Sequence, residues 1–578
     1  MRKRCIIIPA IKKNAVIPDQ LVKKLAGTTL LERAIATAQK LEANEDIYVL
    51  TDSQESTLIC DRHGVRHRYN SEFVFHTLNI VAEMRDLLGE LGLEYEHCLV
   101  LRASCPLITA DDVEDAWHKY EDSGADSLVT VKSVHQRVWS VQGRNLSQLL
   151  DEELGEREVV IESKALIILR SEALLKALSR GSAARMDNVV PYFLNDRAIE
   201  IQSYQDWWIC EHLLRRKHIV FVVAGWPAIG MGHIYRALML AHEIMDHKIS
   251  FVCTRESELA VESIARRDYH STRPGEEELA ETVLKLRPDL VVNDILNTDL
   301  EYMGTLKAEG IPCINFEDEG EGAQLADLVI NAVYDASLTS DKCLCGPDWF
   351  CLRDEFLEAE RNVCRPKVKT VLITFGGTDQ CDNTRRCLDI VEPICRERGI
   401  AIRVVAGPGY VHRYEMEEHL RDLDNKDISF TWATNVMSRQ MEGADLCLCA
   451  AGRTTYELAH MHVPAMVLAT HERELRHSFA RGANGFAFLG LGERVTDDKI
   501  RNVFLKMLDG KARLRFYERM TRLDFTGNKA RVLALMLDIL DKKKARAGQE
   551  ENKVSPCDSD KGEAVQAEAA QGEAECAQ

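Results

Sequence analysis

The chain predicts an α/β fold on mostly parallel sheets, and three observations lead there. Short apolar runs recur with helix-spaced segments between them, the alternation of a βαβ protein. Several runs end in glycine turns that lead straight into a helical pattern, as where backbone amides meet a ligand at the carboxyl end of a strand. The pattern restarts near residue 216 and again near 366, which divides the chain into 1–215, 216–365, 366–546 and a tail at 547–578.

In the first unit, CIIIPA (5–10) reads as a buried strand and LLERAIATAQKL (30–41) as a helix. DIYVLTD (46–52), HCLVLRASCPL (97–107) and ADSLVTVKSV (125–134) read as further strands. Thr109, followed by Asp111 and Asp112, predicts a capped helix start with acidic residues in its first turn. Beyond 216, runs at 218–224, 249–253, 289–293 and 312–316 form one strand set, and those at 369–377, 400–409, 445–452 and 464–470 a second. Two Rossmann-like units in tandem imply a cleft between them. GPDWFCLRDEFLEAERNVCRP (346–366) joins them, and a helix near 527–545 closes the unit. From about 547 the chain is rich in Glu, Ala, Gln and Lys and lacks large apolar residues, a composition that predicts disorder.

With 578 residues, 46% of them hydrophobic, the chain has material for several cores. A formal charge of −19 gives a nucleic-acid role no global electrostatic support. It leaves small anionic substrates open, because local loops set those fields. The 18 cysteines show no paired spacing for zinc and sit mostly in apolar runs, as expected of reduced thiols. Pro9 breaks the first apolar run far short of a signal sequence, and no run reaches the length of a membrane span, so a cytoplasmic protein is expected.

The segment HIVFVVAGWPAIGMGHIYRALMLAHEI (218–244) carries the sharpest signal: a strand, a turn at Gly230 and Gly232, and His233 at a helix start. The residues alone leave His233 either a titratable catalytic group or an N-cap-like histidine. FGGTD (375–379) and CAAGRTTYE (449–457) are further strand-ending glycine loops, in which Gly376, Gly377, Thr378, Ala451, Gly452, Thr454 and Thr455 are candidates to meet a nucleotide phosphate. Glu457, one turn into its helix, is either an acceptor for ribose hydroxyls or a solvated carboxylate.

Taken together, residues 218–500 resemble the UDP-sugar hydrolase of pseudaminic acid biosynthesis and its spore-coat polysaccharide relatives. The pattern G-x-GH-x-x-R-x-x-x-L-A is kept at Gly230, Gly232, His233, Arg236, Leu240 and Ala241. LVVNDILNTD (290–299, containing Asp294), LVINAVYD (328–335), GPDWFCLRDEF (346–356), VLITFGGTDQCDNT (371–384) and ADLCLCAAGRTTYE (444–457) follow in the family's order. The resemblance implies a GT-B-like fold, UDP held mainly by the last unit, and hydrolysis of a UDP-sugar to free sugar and UDP without a metal. It implies that His233 activates water and that Gly230, Gly232, Arg236 and Asp294 serve the substrate. The family's Asn-Gln after the last core strand is replaced here by THERELRHSFA (470–480), which puts Glu472 near that place. Glycosyl transfer to an acceptor stays open.

Residues 5–215 resemble CMP-sialic acid synthetases and related sugar cytidylyltransferases, which implies a GT-A-like nucleotidyltransferase fold. The resemblance rests on Pro9, Pro18, Leu25, Ala26 and Gly27, on RASCPLITADDV (102–113) with Arg102, and on IEIQSYQDWWICE (199–211). The family's glycine-rich triphosphate loop is replaced by Ile11, Lys12, Lys13, Asn14, Ala15 and Val16. Its Mg²⁺-holding Asp-x-Asp maps to Glu200 and Gln202. Lys12, Lys13, Asn14 and Arg102 are the implied nucleotide contacts, and Glu200 the implied metal ligand. Two readings stay open: an active cytidylyltransferase using Mg²⁺, CTP and a nonulosonic acid, or a retained fold without turnover. The two resemblances fit one enzyme of sialic-acid-like sugar or surface polysaccharide synthesis, with a pathway synthase as possible partner. A pathway scaffold is the non-enzyme alternative.

Overall fold

The computed structural model describes residues 2–73, 84–134, 139–142, 145–148, 159–179, 188–226, 229–275, 278–334, 342–434 and 436–551. Most of the tail, from 552 onward, lies outside them, as does the expectation of disorder there. The chain divides into two compact units, the first ending at Arg216 and the second beginning at Lys217.

The first unit is a seven-stranded sheet: β1 (Arg2–Ala10), β2 (Ile47–Thr51), β3 (Arg66–Tyr69), β4 (Tyr95–Leu101), β5 (Ser127–Val134), β6 (Val159–Arg170) and β7 (Val189–Phe193). Their spatial order is β7-β5-β6-β4-β1-β2-β3. β6 runs antiparallel to both β4 and β5, while the other neighbouring pairs are parallel. Ile6, Ile7 and Ile8 of β1 are almost fully buried, as expected of a central strand covered on both faces. Thr109 caps the helix α1 (Ala110–Ser123): its hydroxyl accepts from the Asp112 N–H while Asp112 accepts from the Thr109 N–H.

The second unit contains two parallel sheets. Its first sheet has β8 (His218–Val223), β9 (Lys248–Cys253), β10 (Ser271–Thr272), β11 (Leu290–Asp294), β12 (Cys313–Phe316), β13 (Leu328–Asn331) and β14 (Cys343–Cys345), in the order β10-β9-β8-β11-β12-β13-β14. The other sheet has β15 (Thr370–Thr374), β16 (Ala401–Ala406), β17 (Ile428–Trp432), β18 (Leu446–Ala450), β19 (Ala465–Ala469) and β20 (Phe486–Leu491), in the order β17-β16-β15-β18-β19-β20. Each order grows outward from its first strand and then reverses. The reversals fall between β8 and β11 and between β15 and β18, where the helices that follow leave to opposite faces and a crevice opens. This is a GT-B-like plan of two doubly wound halves.

The last helix, α5, follows three that matter for the site: α2 (Gly232–Glu243), α3 (Asn383–Arg398) and α4 (Thr454–His460). α5 (Asn528–Glu551) runs beyond the expected end near 545. It does not pack on the half that precedes it in sequence. Val532, Met536 and Leu540 are buried with Ile219, Leu240 and Ile264 of the first half. Asn528 anchors the crossing by donating to the Pro347 and Phe350 carbonyls, and Lys529 pairs with Glu243 and Asp354. Among the described residues, no helix is long and apolar enough to cross a membrane, and most described cysteines are buried free thiols.

Candidate active site

Both reversal points of the second unit face one cavity of about 480 Å³. On the first wall, β8 lies beside β11 with Val223 opposite Asp294, so the turn after one strand reaches the terminal carboxylate of the other. Gly230 takes φ +80°, a region open to glycine, and the chain enters α2 at Gly232. His233 and Arg236, one turn apart on α2, both point at Asp294. His233 Nδ1 lies 2.5 Å from Asp294 Oδ1, while Arg236 donates to Oδ2 at 2.7 Å and Oδ1 at 2.6 Å. Arg236 also pairs with Glu317, just past β12, and its guanidinium lies 4.8 Å from the Phe316 ring centre. Asp294 is 1% exposed, Arg236 3%, and His233 and Glu317 6% each.

Burial alone would raise the Asp294 carboxyl, but the charge of Arg236 and the hydrogen bonds from Arg236 and His233 outweigh it and hold Asp294 below the usual carboxylate range. Glu317 is likewise pulled far down against its burial, first by Arg236 and then by Arg453. Asp294 therefore stays ionised and fixes the imidazole through Nδ1. That leaves Nε2 as the nitrogen able to take a proton from the cleft, which His233 lines.

The second wall starts at β15. Gly376 takes φ +80°, and Gly377 passes so close to Met231 that a Cβ there would lie 3.0 Å from Met231 Cγ. Gly407, after β16, donates its N–H to the Gly376 carbonyl, and a Cβ on it would lie 2.4 Å from the Gly377 Cα. Two loops are thus in backbone contact, which only glycine permits. Asp379 holds the loop at the start of α3, accepting from the N–H groups of Asn383 and Thr384.

Gly376, Gly377, Thr378, Gly452, Thr454 and Glu457 line the cleft with Gly230, Gly232, His233 and Arg236. Ala451 and Thr455 do not line it; both are fully buried, and the Thr455 hydroxyl donates to the Gly452 carbonyl. Asp294 sits behind the wall and acts through His233 and Arg236. Glu457 accepts from Arg353 at 3.1 and 2.9 Å, so it reaches the cleft already paired.

Glu472 is not brought to the cleft. It is exposed and bonds Arg494, because the turn Glu472–Arg476 carries its side chain outward. Arg473, Glu474 and His477 of the same segment line the cavity instead. Glu474 accepts from the Thr470 N–H at 2.7 Å, and Arg473 donates to the Tyr334 hydroxyl and to the Glu317 carbonyl, each at 2.8 Å. Burial pushes the His477 imidazole down to about 3, so it is neutral.

Arg453 escaped the sequence reading although it stands inside CAAGRTTYE. It crosses toward the first wall, lies 3.2 Å from Glu317 and stacks 4.7 Å from the Phe350 ring centre. Gly232 makes room for it: a Cβ there would lie 2.9 Å from Arg453 Cδ. Since Glu317 is shared with Arg236, Arg453 is a half-buried cation with incomplete pairing that faces the cavity. No spacing rule reveals it, because its partners lie on the other half.

In the first unit, Lys12–Asn14 form a single 3₁₀ turn. The Lys12 and Lys13 N–H groups donate to the two oxygens of Asp52 at 2.6 and 3.0 Å. Lys12 Nζ pairs with Asp19 and Glu55, and Lys13 Nζ donates to the Ser71 carbonyl. Glu200 accepts from Arg102 at 2.7 Å through one oxygen and from Gln202 at 2.8 Å through the other. Both oxygens a divalent cation would use are therefore engaged. The described residues hold no group of three His, Cys, Asp or Glu placed to bind a metal. The donor set does not fit Mg²⁺.

Residues 19–185 match the MobA-like NTP transferase domain. An uncharacterised protein of Methanocaldococcus jannaschii is 24% identical over 272 residues, 44% of this chain and 56% of its own length. The spore coat polysaccharide biosynthesis protein SpsG of Bacillus subtilis is 25% identical over 296 residues, 49% of this chain and 86% of its length. A 3-deoxy-manno-octulosonate cytidylyltransferase of Koribacter versatilis is 33% identical over 70 residues, 12% of this chain and 27% of its own. The first of these relatives is thus spanned over little more than half its length.

Proposed function

We propose that the second unit cleaves a UDP-sugar at the anomeric carbon, releasing free sugar and UDP, and so serves the synthesis of a sialic-acid-like sugar or a surface polysaccharide. The observation that carries this reading is the buried His233–Asp294 pair, whose histidine lines a cleft with two glycine loops on its other wall. His233 Nε2 takes a proton from water as the water oxygen bonds to the anomeric carbon. The C–O bond to the diphosphate breaks, and its electron pair leaves with UDP. A positioned base of this kind contributes roughly 10²–10⁴ in rate. Arg453 and the amides of the two loops meet the charge that gathers on the departing diphosphate. The similarity to the spore-coat polysaccharide protein supports a role in polysaccharide synthesis.

The test is UDP release from diacetamido-trideoxyhexose donors with no acceptor present. His233→Ala is expected to lower turnover about 100-fold or more while UDP still binds. Undiminished turnover in that variant sinks the mechanism. Segment 470–480 favours a second reading: Arg473 and His477 line the cleft in the stretch that replaces the resembled family's Asn-Gln. An acceptor hydroxyl then takes the place of water at the same base, and UDP appears only when an acceptor is added.

A further inference from the structure

The first unit has an internal group at each place where a nucleotidyl-transfer site needs an external one. β1 and β2 are parallel neighbours with Ala10 opposite Thr51, so the loop after β1 and the residue after β2 meet at the sheet edge. There the carboxylate of Asp52 spans the N–H groups of Lys12 and Lys13, at 2.6 and 3.0 Å. Those consecutive amides are the donors that a polyphosphate entering this loop would seek. The ammonium groups are engaged too: Lys12 by Asp19 and Glu55, Lys13 by the Ser71 carbonyl. Ile11 is 5% exposed and packs in the core with Leu50 and Leu87, so the loop is anchored at its base.

Across the site, the Arg102 guanidinium and the Gln202 amide hold the two oxygens of Glu200. Lys12 and Arg102 are thus already paired with carboxylates, Asp19 and Glu55 for the first and Glu200 for the second. A nucleoside triphosphate would have to displace a tethered carboxylate from the loop amides, and its divalent cation would meet Glu200 already held by Arg102 and Gln202.

We propose that the first unit is a nucleotidyltransferase-type fold whose phosphate loop is occupied by Asp52 and whose cation position is occupied by Arg102, and that it transfers no nucleotidyl group. The unit is a structural or partner-binding module of a chain whose chemistry resides in the second unit. This inference is independent of the reading of the second unit, because its tests score only the first.

The experiment uses the full chain and two readouts. In the first, Mn²⁺ is titrated with and without CTP and followed by electron paramagnetic resonance, for the wild type and Glu200→Gln. The two proteins are expected to bind Mn²⁺ indistinguishably. A wild-type Mn²⁺ site lost in Glu200→Gln overturns the proposal. In the second, pyrophosphate is measured with CTP, Mg²⁺ or Mn²⁺, and a panel of 2-keto-3-deoxy sugar acids. No release above the protein-free rate is expected. Release that depends on the wild-type chain and falls at least tenfold in Lys12→Ala/Lys13→Ala overturns the proposal. The gain variant Gln202→Asp, which removes the amide from Glu200 and adds a carboxylate beside it, is expected to tighten Mn²⁺ binding at least tenfold. Wild-type affinity equal to that of this variant also counts against the proposal, provided circular dichroism shows both folded.

Discussion

At the scale of single residues, the charges behind the cleft decide most. Asp294, Arg236 and Glu317 are buried and mutually paired, so removing one strands the others. Arg236→Met is expected to cost about 3–5 kcal/mol, because two carboxylates lose their main counter-ion; denaturant unfolding measures it. Asp294→Asn keeps the shape but loses the charge that orients His233, so kcat should fall at least tenfold with KM little changed. An equal rise in KM would argue against a positioning role. His477 gives a pH signature. Its folded value of about 3 lies below the unfolded value near 6.5, so its contribution is complete above about pH 6.5 and is lost as pH falls toward 3. Between pH 6.5 and 4 that amounts to roughly 3 kcal/mol. Stability curves against pH should be flatter in His477→Gln by a comparable amount; parallel curves would remove the assignment.

At the scale of elements, the glycine loops are set by close backbone approach. Gly407 touches the backbone of Gly377, which has no side chain to swing aside. Gly407→Ala should therefore cost about 1–3 kcal/mol and loosen nucleotide binding together. In Gly232→Ala the added methyl meets the middle of the Arg453 side chain. That side chain can shift, so stability should change little while affinity for UDP weakens several-fold by calorimetry. Unchanged affinity would show that Arg453 does not reach the diphosphate. These loops were legible in the sequence as glycine punctuation after apolar runs. The turn that sends Glu472 outward and Arg473 inward was not, because a helical or 3₁₀ turn distributes neighbouring side chains by angles that composition does not fix.

At the scale of the whole molecule, the last helix of the second unit packs back on its first half. Met536 is fully buried against the first half, so Met536→Ala is expected to lower stability by about 2–5 kcal/mol. Shortening the chain at residue 527 should destabilise the first half more than the second. Hydrogen exchange resolves the two, and greater loss of protection in β15–β20 than in β8–β14 would contradict that packing. Across the first unit, the match to an NTP transferase domain and the seven-stranded sheet describe a scaffold. The side chains placed on it are a separate matter, since a fold can persist while its site changes.

The sequence by itself determined the α/β class, the restart of the pattern near residue 216 and the strand-ending loops at Gly230, Gly376 and Gly452. Those features arise from local periodicity and from glycine's backbone freedom, which neighbouring residues encode. It also marked His233, as a histidine at a helix start after a glycine turn, and Arg236 through the motif that this segment shares with the resembled family. Only the tertiary structure decided that Asp294 joins them, that Arg453 reaches across to Glu317, that Asp52 fills the loop at Lys12 and Lys13, and that α5 returns to the first half. Each is a contact between residues far apart in the chain, set by which strands become neighbours at a reversal of sheet order, and no local pattern carries that information.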